Sequence, residues 1–144
     1  MRKRGWWLGL ILLACAPALA ACPPAGQGRA GLQALKAAGF AVADPAGKQA
    51  LAMGLVDCLG DPDPLLRDGI AYEALSHWMR AGALDAETFR ALRERLYAVV
   101  DGGEGEGFAR PFAALVLSEV ARTDRVAPWM TPAERGKMID KAAG

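Results

Sequence analysis

The chain has one histidine, His77, in the run Glu73-Ala-Leu-Ser76-His77-Trp-Met-Arg80, which places an acid, a hydroxyl and a guanidinium within two helical turns of it. An imidazole near a carboxylate is suited to general-base work or to metal ligation. Both need more groups than this run supplies. No cysteine or aspartate cluster flanks His77 at metal-ligand spacing, so the sequence indicates no metal and no other cofactor. Ser118, His77 and an acid can be drawn as a triad, yet nothing like a nucleophile elbow surrounds Ser118. The acids and glycines from Asp101 to Gly107 lack the ligand spacing of an EF-hand loop and read as a solvated connector. No glycine-rich phosphate loop lies between a strand and a helix. The sequence assigns no catalytic residue. A ligand-binding or hydrolytic site around His77 and Glu73 stands as an alternative to a binding role.

Three cysteines carry the next chemistry. Arg2, Lys3 and Arg4 precede an apolar run from Trp6 to Leu13, and Ala16-Pro-Ala-Leu-Ala20 supplies small residues for cleavage. Residues 1–21 therefore read as a bacterial export signal, and residues 22–144 as the mature chain. Cys15 leaves with the signal. Cys22 and Cys58 remain, and an oxidising periplasm favours their pairing. Leu19-Ala20-Ala21-Cys22 also fits a lipoprotein box, which would put an acyl anchor on Cys22 and leave Cys58 a lone thiol. Parity and the flanking prolines favour soluble export to the periplasm; a membrane-tethered structural lipoprotein of the cell envelope is the alternative.

Loss of the signal removes three of seventeen basic residues and none of sixteen acidic ones, leaving a net charge near −2. That balance gives no reason to expect a nucleic-acid partner. Nothing in the mature chain reads as a membrane span. Alanine and leucine dominate and β-branched runs are few, so the expected class is all-α.

The elements that must position His77 follow from helix punctuation. Ala30 to Gly39 reads as a short helix. Asp44-Pro45 opens a second, with Leu51, Leu55, Cys58 and Leu59 at helical spacing and Gly54 inside it at a cost of about 1 kcal/mol against alanine. Asp61-Pro62-Asp63-Pro64 forms a turn and opens the helix from Pro64 to Arg80, apolar over most of its circumference with a narrow polar stripe of Glu73, Ser76, His77 and Arg80. Asp85, with Leu84 and Phe89 as a staple, opens an ordinary amphipathic helix to about Val100, whose Arg90, Arg93, Glu94 and Arg95 lie outside its apolar face. A second widely apolar helix follows from about Phe108 to Thr123, with a polar stripe of Ser118, Glu119 and Arg122. Thr131-Pro132-Ala133-Glu134 is a capping box that opens a last helix. Trp78 and Trp129 read as packing residues.

An offset of 42 residues lays the two stripes over each other: Ser76 on Ser118, His77 on Glu119, Arg80 on Arg122. The period suits two-helix repeats of the HEAT type, a short α-solenoid in which each pair buries its apolar face only against its neighbours. In such stacks the second helices line the concave face, so Glu73, Ser76, His77, Arg80, Ser118, Glu119 and Arg122 are the candidate wall of one groove. Arg67 falls within the apolar arc of its helix and needs a partner.

Residues 55–75 resemble the middle of a HEAT repeat, in which an Asp in the turn and an Arg early in the second helix commonly bond between neighbouring repeats, a resemblance that implies a structural role for Asp61 and Arg67 at the matching positions. Asp61-Pro-Asp-Pro-Leu-Leu-Arg-Asp-Gly-Ile-Ala-Tyr-Glu-Ala-Leu-Ser76 and Arg110-Pro-Phe-Ala-Ala-Leu-Val-Leu-Ser-Glu-Val120 are similar to the bacterial family catalogued as domain of unknown function 2785. The resemblance implies an all-helical fold and supplies no activity. Members of that family continue with further helices, so it also implies a shortened form here. The expected role is a non-enzymatic binding or scaffold module taking a peptide or protein partner along the polar groove.

Overall fold

The computed structural model describes residues 22–102 and 107–143. Residues 1–21, the expected export signal, and most of the glycine-rich connector lie outside them. The described residues are all-α: six helices, and among them no strand. We label them α1 (Arg29–Ala37), α2 (Pro45–Leu55, running on as a 3₁₀ turn Val56–Gly60), α3 (64–80), α4 (Ala86–Asp101), α5 (Ala109–Val126) and α6 (Pro132–Ala143).

The starts of α2, α3, α4 and α6 use the caps their sequences offer. Asp44 Oδ2 accepts from Gly47 N at 2.9 Å, Asp63 Oδ1 from Leu65 N at 2.9 Å and Asp85 Oδ1 from Thr88 N at 2.7 Å. Leu84 and Phe89, both buried, staple the entry to α4. At α6 the box closes both ways: Glu134 N donates to Thr131 Oγ1 at 3.2 Å, and Thr131 N to Glu134 Oε2 at 2.7 Å. Such a cap is worth about 1 kcal/mol.

Helix α3 departs from a regular pattern. It begins as a turn of α-helix, Pro64–Leu66, widens to a π-helix over Arg67–Tyr72 and returns to α-helix at Glu73–Arg80. Periodicity at a hundred degrees per residue does not register such a widening. Lys36 Nζ of α1 donates to the carbonyl of Gly69 within it at 2.7 Å.

The core runs through all the early elements. Leu32, Leu55, Leu59, Ile70, Leu92 and Val116 are fully buried, each contributing about 1.5–3 kcal/mol of burial. Trp78 is also inside, and its indole N–H donates to the Phe40 carbonyl at 2.8 Å. The N-terminal segment folds back on α2 through a Cys22–Cys58 disulfide. Gly54 permits this approach: a Cβ there would lie 2.8 Å from Pro24 Cβ. The glycine that looks like a helix defect is a contact surface for the returning chain.

Ion pairs record which helices lie side by side. Lys36–Glu73 joins α1 to α3, Arg80–Glu119 joins α3 to α5, Arg95–Asp57 joins α4 to the end of α2, and Lys137–Glu94 joins α6 to α4. Their partners are 37 to 43 residues apart. By these pairs the helices are linked as α1–α3–α5 and α2–α4–α6, while α5 also packs closely on α4 and on the end of α2.

Three expectations are corrected by burial and bonding. Arg93 does not lie outside the apolar face of α4. It is buried, bound to Glu94 and to Glu134 at 3.0 Å each, because α6 lies over it. Helix α5 is not widely buried: Ala113, Val116 and Val120 are inside, but Leu117 and Phe112 are only half-buried and Ala121 is exposed. Arg67 is buried as its position requires, but the carboxylate of Asp61 is not its partner. Arg67 Nη1 donates to the Asp61 backbone carbonyl at 3.2 Å, and its charge is met by Asp68 at 2.8 Å. Its guanidinium also covers the Phe108 ring at 3.7 Å. The Asp61 carboxylate instead accepts from Asp63 N at 2.8 Å and shapes the turn.

Candidate functional site

The polar stripe of α3 opens into a shallow cleft of about 550 Å³, lined by Phe40, Tyr72, Glu73, Ser76, His77, Arg80 and Ala81. Four of these are residues the sequence singles out. Regular helix from Glu73 onward is what aligns Glu73, His77 and Arg80 along one edge, three to four residues apart. Phe40 comes from the turn after α1. Gly39 leaves that helix at φ 64°, and Phe40 follows at φ 61°, a conformation that costs a bulky L-residue about 1–2 kcal/mol. The Trp78 indole on its carbonyl holds it there, and its ring packs 5.8 Å from the His77 ring. Phe40, His77 and Ala81 also edge a second open cleft, which continues past Trp78 towards Lys48.

Charges in this region are already engaged. Glu73 pairs with Lys36 at 2.6 Å. Arg80 binds Glu119 through both its Nε and Nη2, and Arg122 Nε reaches the same carboxylate at 2.9 Å. The hydrogen bond from Arg80 holds Glu119 below the usual carboxylate range, against burial and with help from Arg122. The same carboxylate raises Arg80. Beside this triplet Tyr72 meets Phe112 edge to face at 6.0 Å. Ser76, between Tyr72 and Arg80 on the helix, is buried, and its hydroxyl has no hydrogen-bond partner.

The two stripes thus meet where Arg80, Glu119 and Arg122 join. Arg80 and Arg122 go on to line a small hollow with Val126 and Trp129. Ser118 stands apart. It is exposed on α5 and donates its hydroxyl to Leu115 O of its own helix at 2.6 Å, so the arrangement does not assemble Ser118 with His77. Both acids nearest the stripe are bound to cations, which leaves His77 without a carboxylate to orient it. Among the described residues no group of three or more His, Cys, Asp or Glu side chains is placed to hold a metal.

Phe40, Tyr72 and Lys36 were not legible as site residues. Phe40 and Lys36 reach the cleft from 37 to 38 residues away, a distance that local spacing cannot bridge. Gly39 after a short helix does signal a left-handed exit, which commonly brings the next apolar residue back onto the helix. Trp129 is a packing residue, stacked on Phe89 at 5.4 Å.

Compared with family models, with curated proteins and with solved structures, the chain matches none.

Proposed function

We propose that the chain is an exported HEAT-like helical module, akin to the domain-of-unknown-function 2785 family, that binds an extended peptide segment of a protein partner along the α3–α5 wall. The observation that carries this reading is the open, aromatic-edged cleft beside the Arg80–Glu119–Arg122 triplet. Its shape suits a chain laid across it rather than a small molecule enclosed within it. Phe40 and Tyr72 offer apolar contact, while Glu73, His77 and Arg80 offer polar groups at intervals along an edge. Prior engagement of Glu73 and Glu119 by cations supports binding over acid–base chemistry at His77. The linkage of helices as α1–α3–α5 and α2–α4–α6 supports stacked helix pairs.

Export to the periplasm is part of the same proposal. It rests on the n-region, apolar run and cleavage residues of positions 1–21. The Cys22–Cys58 bridge supports a soluble form, because a sulfur in that bridge is not available to a lipid thioether. No described helix is long and apolar enough to cross a membrane.

The test is selection of a displayed random-peptide library on the full chain purified from an exporting host. Selected peptides are expected to lose about fivefold or more in affinity for Phe40→Ala and for Arg80→Ala, and to bind Ser118→Ala as they bind the parent. Peptides indifferent to Phe40 and Arg80, or no enrichment, would exclude this groove.

A further inference from the structure

The large apolar side chains most exposed among the described residues are Phe108, Leu115, Val126 and Ile139. All four lie on or beside α5 and α6, at one end of the helix stack. Helix α5 has a buried side and an open side, and the open side runs through Ala114, Leu115, Ser118, Ala121 and Arg125. Helix α6 has no buried residue at all. Between the two runs a groove of about 510 Å³ whose floor is apolar: Ala121, Met130, Met138, Ile139 and Ala142.

Charge along this groove is paired except at Arg125. Both acids of α5 are already engaged, Asp124 within the groove lining itself. Glu119 is held by Arg80 and Arg122, and Asp124 by Arg135 and the N–H groups of Trp129 and Met130. Arg125 borders the groove with no described acid in ion-pair reach, and Arg135, the other arginine of its lining, is paired with Asp124. Asp140 is exposed on α6 but does not line the groove. An apolar floor edged by the unpaired Arg125 calls for an occupant with an acidic edge.

We infer that the α5–α6 groove receives an amphipathic helix of a protein partner, apolar on the face it buries and acidic along its borders. Within the chain the inner side of α5 is met in that manner, by a helix that brings an aromatic contact and a charged seam: Tyr72 on Phe112 and Arg80 on Glu119. The outer side repeats the apolar stripe with the cations on α5, so the acids must come from the other helix. A second copy does not supply them. Helix α1, at the opposite end, has no acid of its own, and the acids beside it, Asp63 and Glu73, are taken by Arg29 and Lys36, so head-to-tail stacking brings Arg125 no unpaired acid. Two-fold pairing of α5 with α5 does the same.

The experiment uses two synthetic helices of about 18 residues, the length of α5. They share one leucine–alanine stripe and differ in carrying glutamate or lysine along its borders. Binding to the full chain is read by fluorescence anisotropy. The glutamate helix is expected to bind at least about tenfold tighter than the lysine helix. Arg125→Glu should erase that preference, and Leu115→Glu and Ile139→Glu should each weaken binding about fivefold or more. These side chains are exposed, so circular dichroism and the thermal midpoint should stay at the parent values. His77→Ala should leave binding unchanged, which separates this groove from the α3 cleft. Equal affinity for both helices, or indifference to Arg125→Glu, overturns the inference. So does a dimer in sedimentation that Leu115→Glu dissolves, which would assign the face to a second copy. Arg125-dependent binding to phosphatidylglycerol vesicles that displaces the glutamate helix would assign it to a membrane surface and also overturns it.

Discussion

Arg80 of α3 and Arg122 of α5 share the carboxylate of Glu119. The sharing fixes how the two helices sit, because Glu119 is buried while Arg80 remains mostly solvated. An acid in that position stays charged only through its two donors. Removing it frees two arginines that solvent can serve, whereas removing both arginines strands a buried charge.

Glu119→Ala is therefore expected to lower stability by about 1–2 kcal/mol, and Arg80→Ala combined with Arg122→Ala by more. Urea unfolding of the three proteins checks the order. Equal losses for the acid and the double arginine variant would show that burial of Glu119 does not dominate.

The disulfide joins partners 36 positions apart in the sequence, and loop closure of that size is worth about 3–4 kcal/mol. Cys58→Ser should lose about that much in chemical unfolding. Gly54→Ala carries a sharper prediction. In the oxidised protein its methyl meets Pro24, so the variant should be less stable than the parent. With the bridge reduced the N-terminal segment can move away, and the better helix former should gain up to about 1 kcal/mol. The measurement is the same unfolding curve with and without reductant, and the sign should change between them.

Acid should loosen the α6 end first. Asp124 is lowered to about 2, chiefly by the Arg135 hydrogen bond, against burial and with help from Met130 and Trp129 N–H. Glu134 is also lowered to about 2, by Thr131 N–H and then by Arg93. Both folded values lie below the ordinary unfolded value of about 4. Their contribution to stability is thus complete above that value and is lost as pH falls from about 4 through about 2. The thermal midpoint should drop across that window. Asp124→Asn, less stable at neutral pH, should show a shallower drop.

Trp78→Phe keeps the core filled but removes the donor to the Phe40 carbonyl. Leaving that carbonyl unpaired should cost about 1–2 kcal/mol. Phe40 holds a left-handed conformation that the bond secures, so the cleft should lose its aromatic edge as well. Affinity for selected peptides should fall with stability. Unchanged affinity in a destabilised Trp78→Phe protein would show that Phe40 needs no such support.

Helix starts, the all-α class and the Cys22–Cys58 pairing were legible because each depends on neighbours in the chain or on a count. A cap is three residues long, a hydrophobic stripe repeats every turn, and two cysteines in an export context have one partner each. The polar stripe of Glu73, Ser76, His77 and Arg80 was legible for the same reason. What the stripe meets was not. Glu119 takes Arg80, Lys36 takes Glu73 and Phe40 takes His77 across 37 to 39 residues, and those choices are made by which helix lands beside which. The π turn at Arg67–Tyr72, the burial of Arg93 under α6 and the open outer side of α5 were decided in the same way. Local propensity sets which segments become helices and which of their faces are apolar. Only packing determines how many of those faces find a cover, because the cover is supplied by residues with no neighbour relation in the sequence.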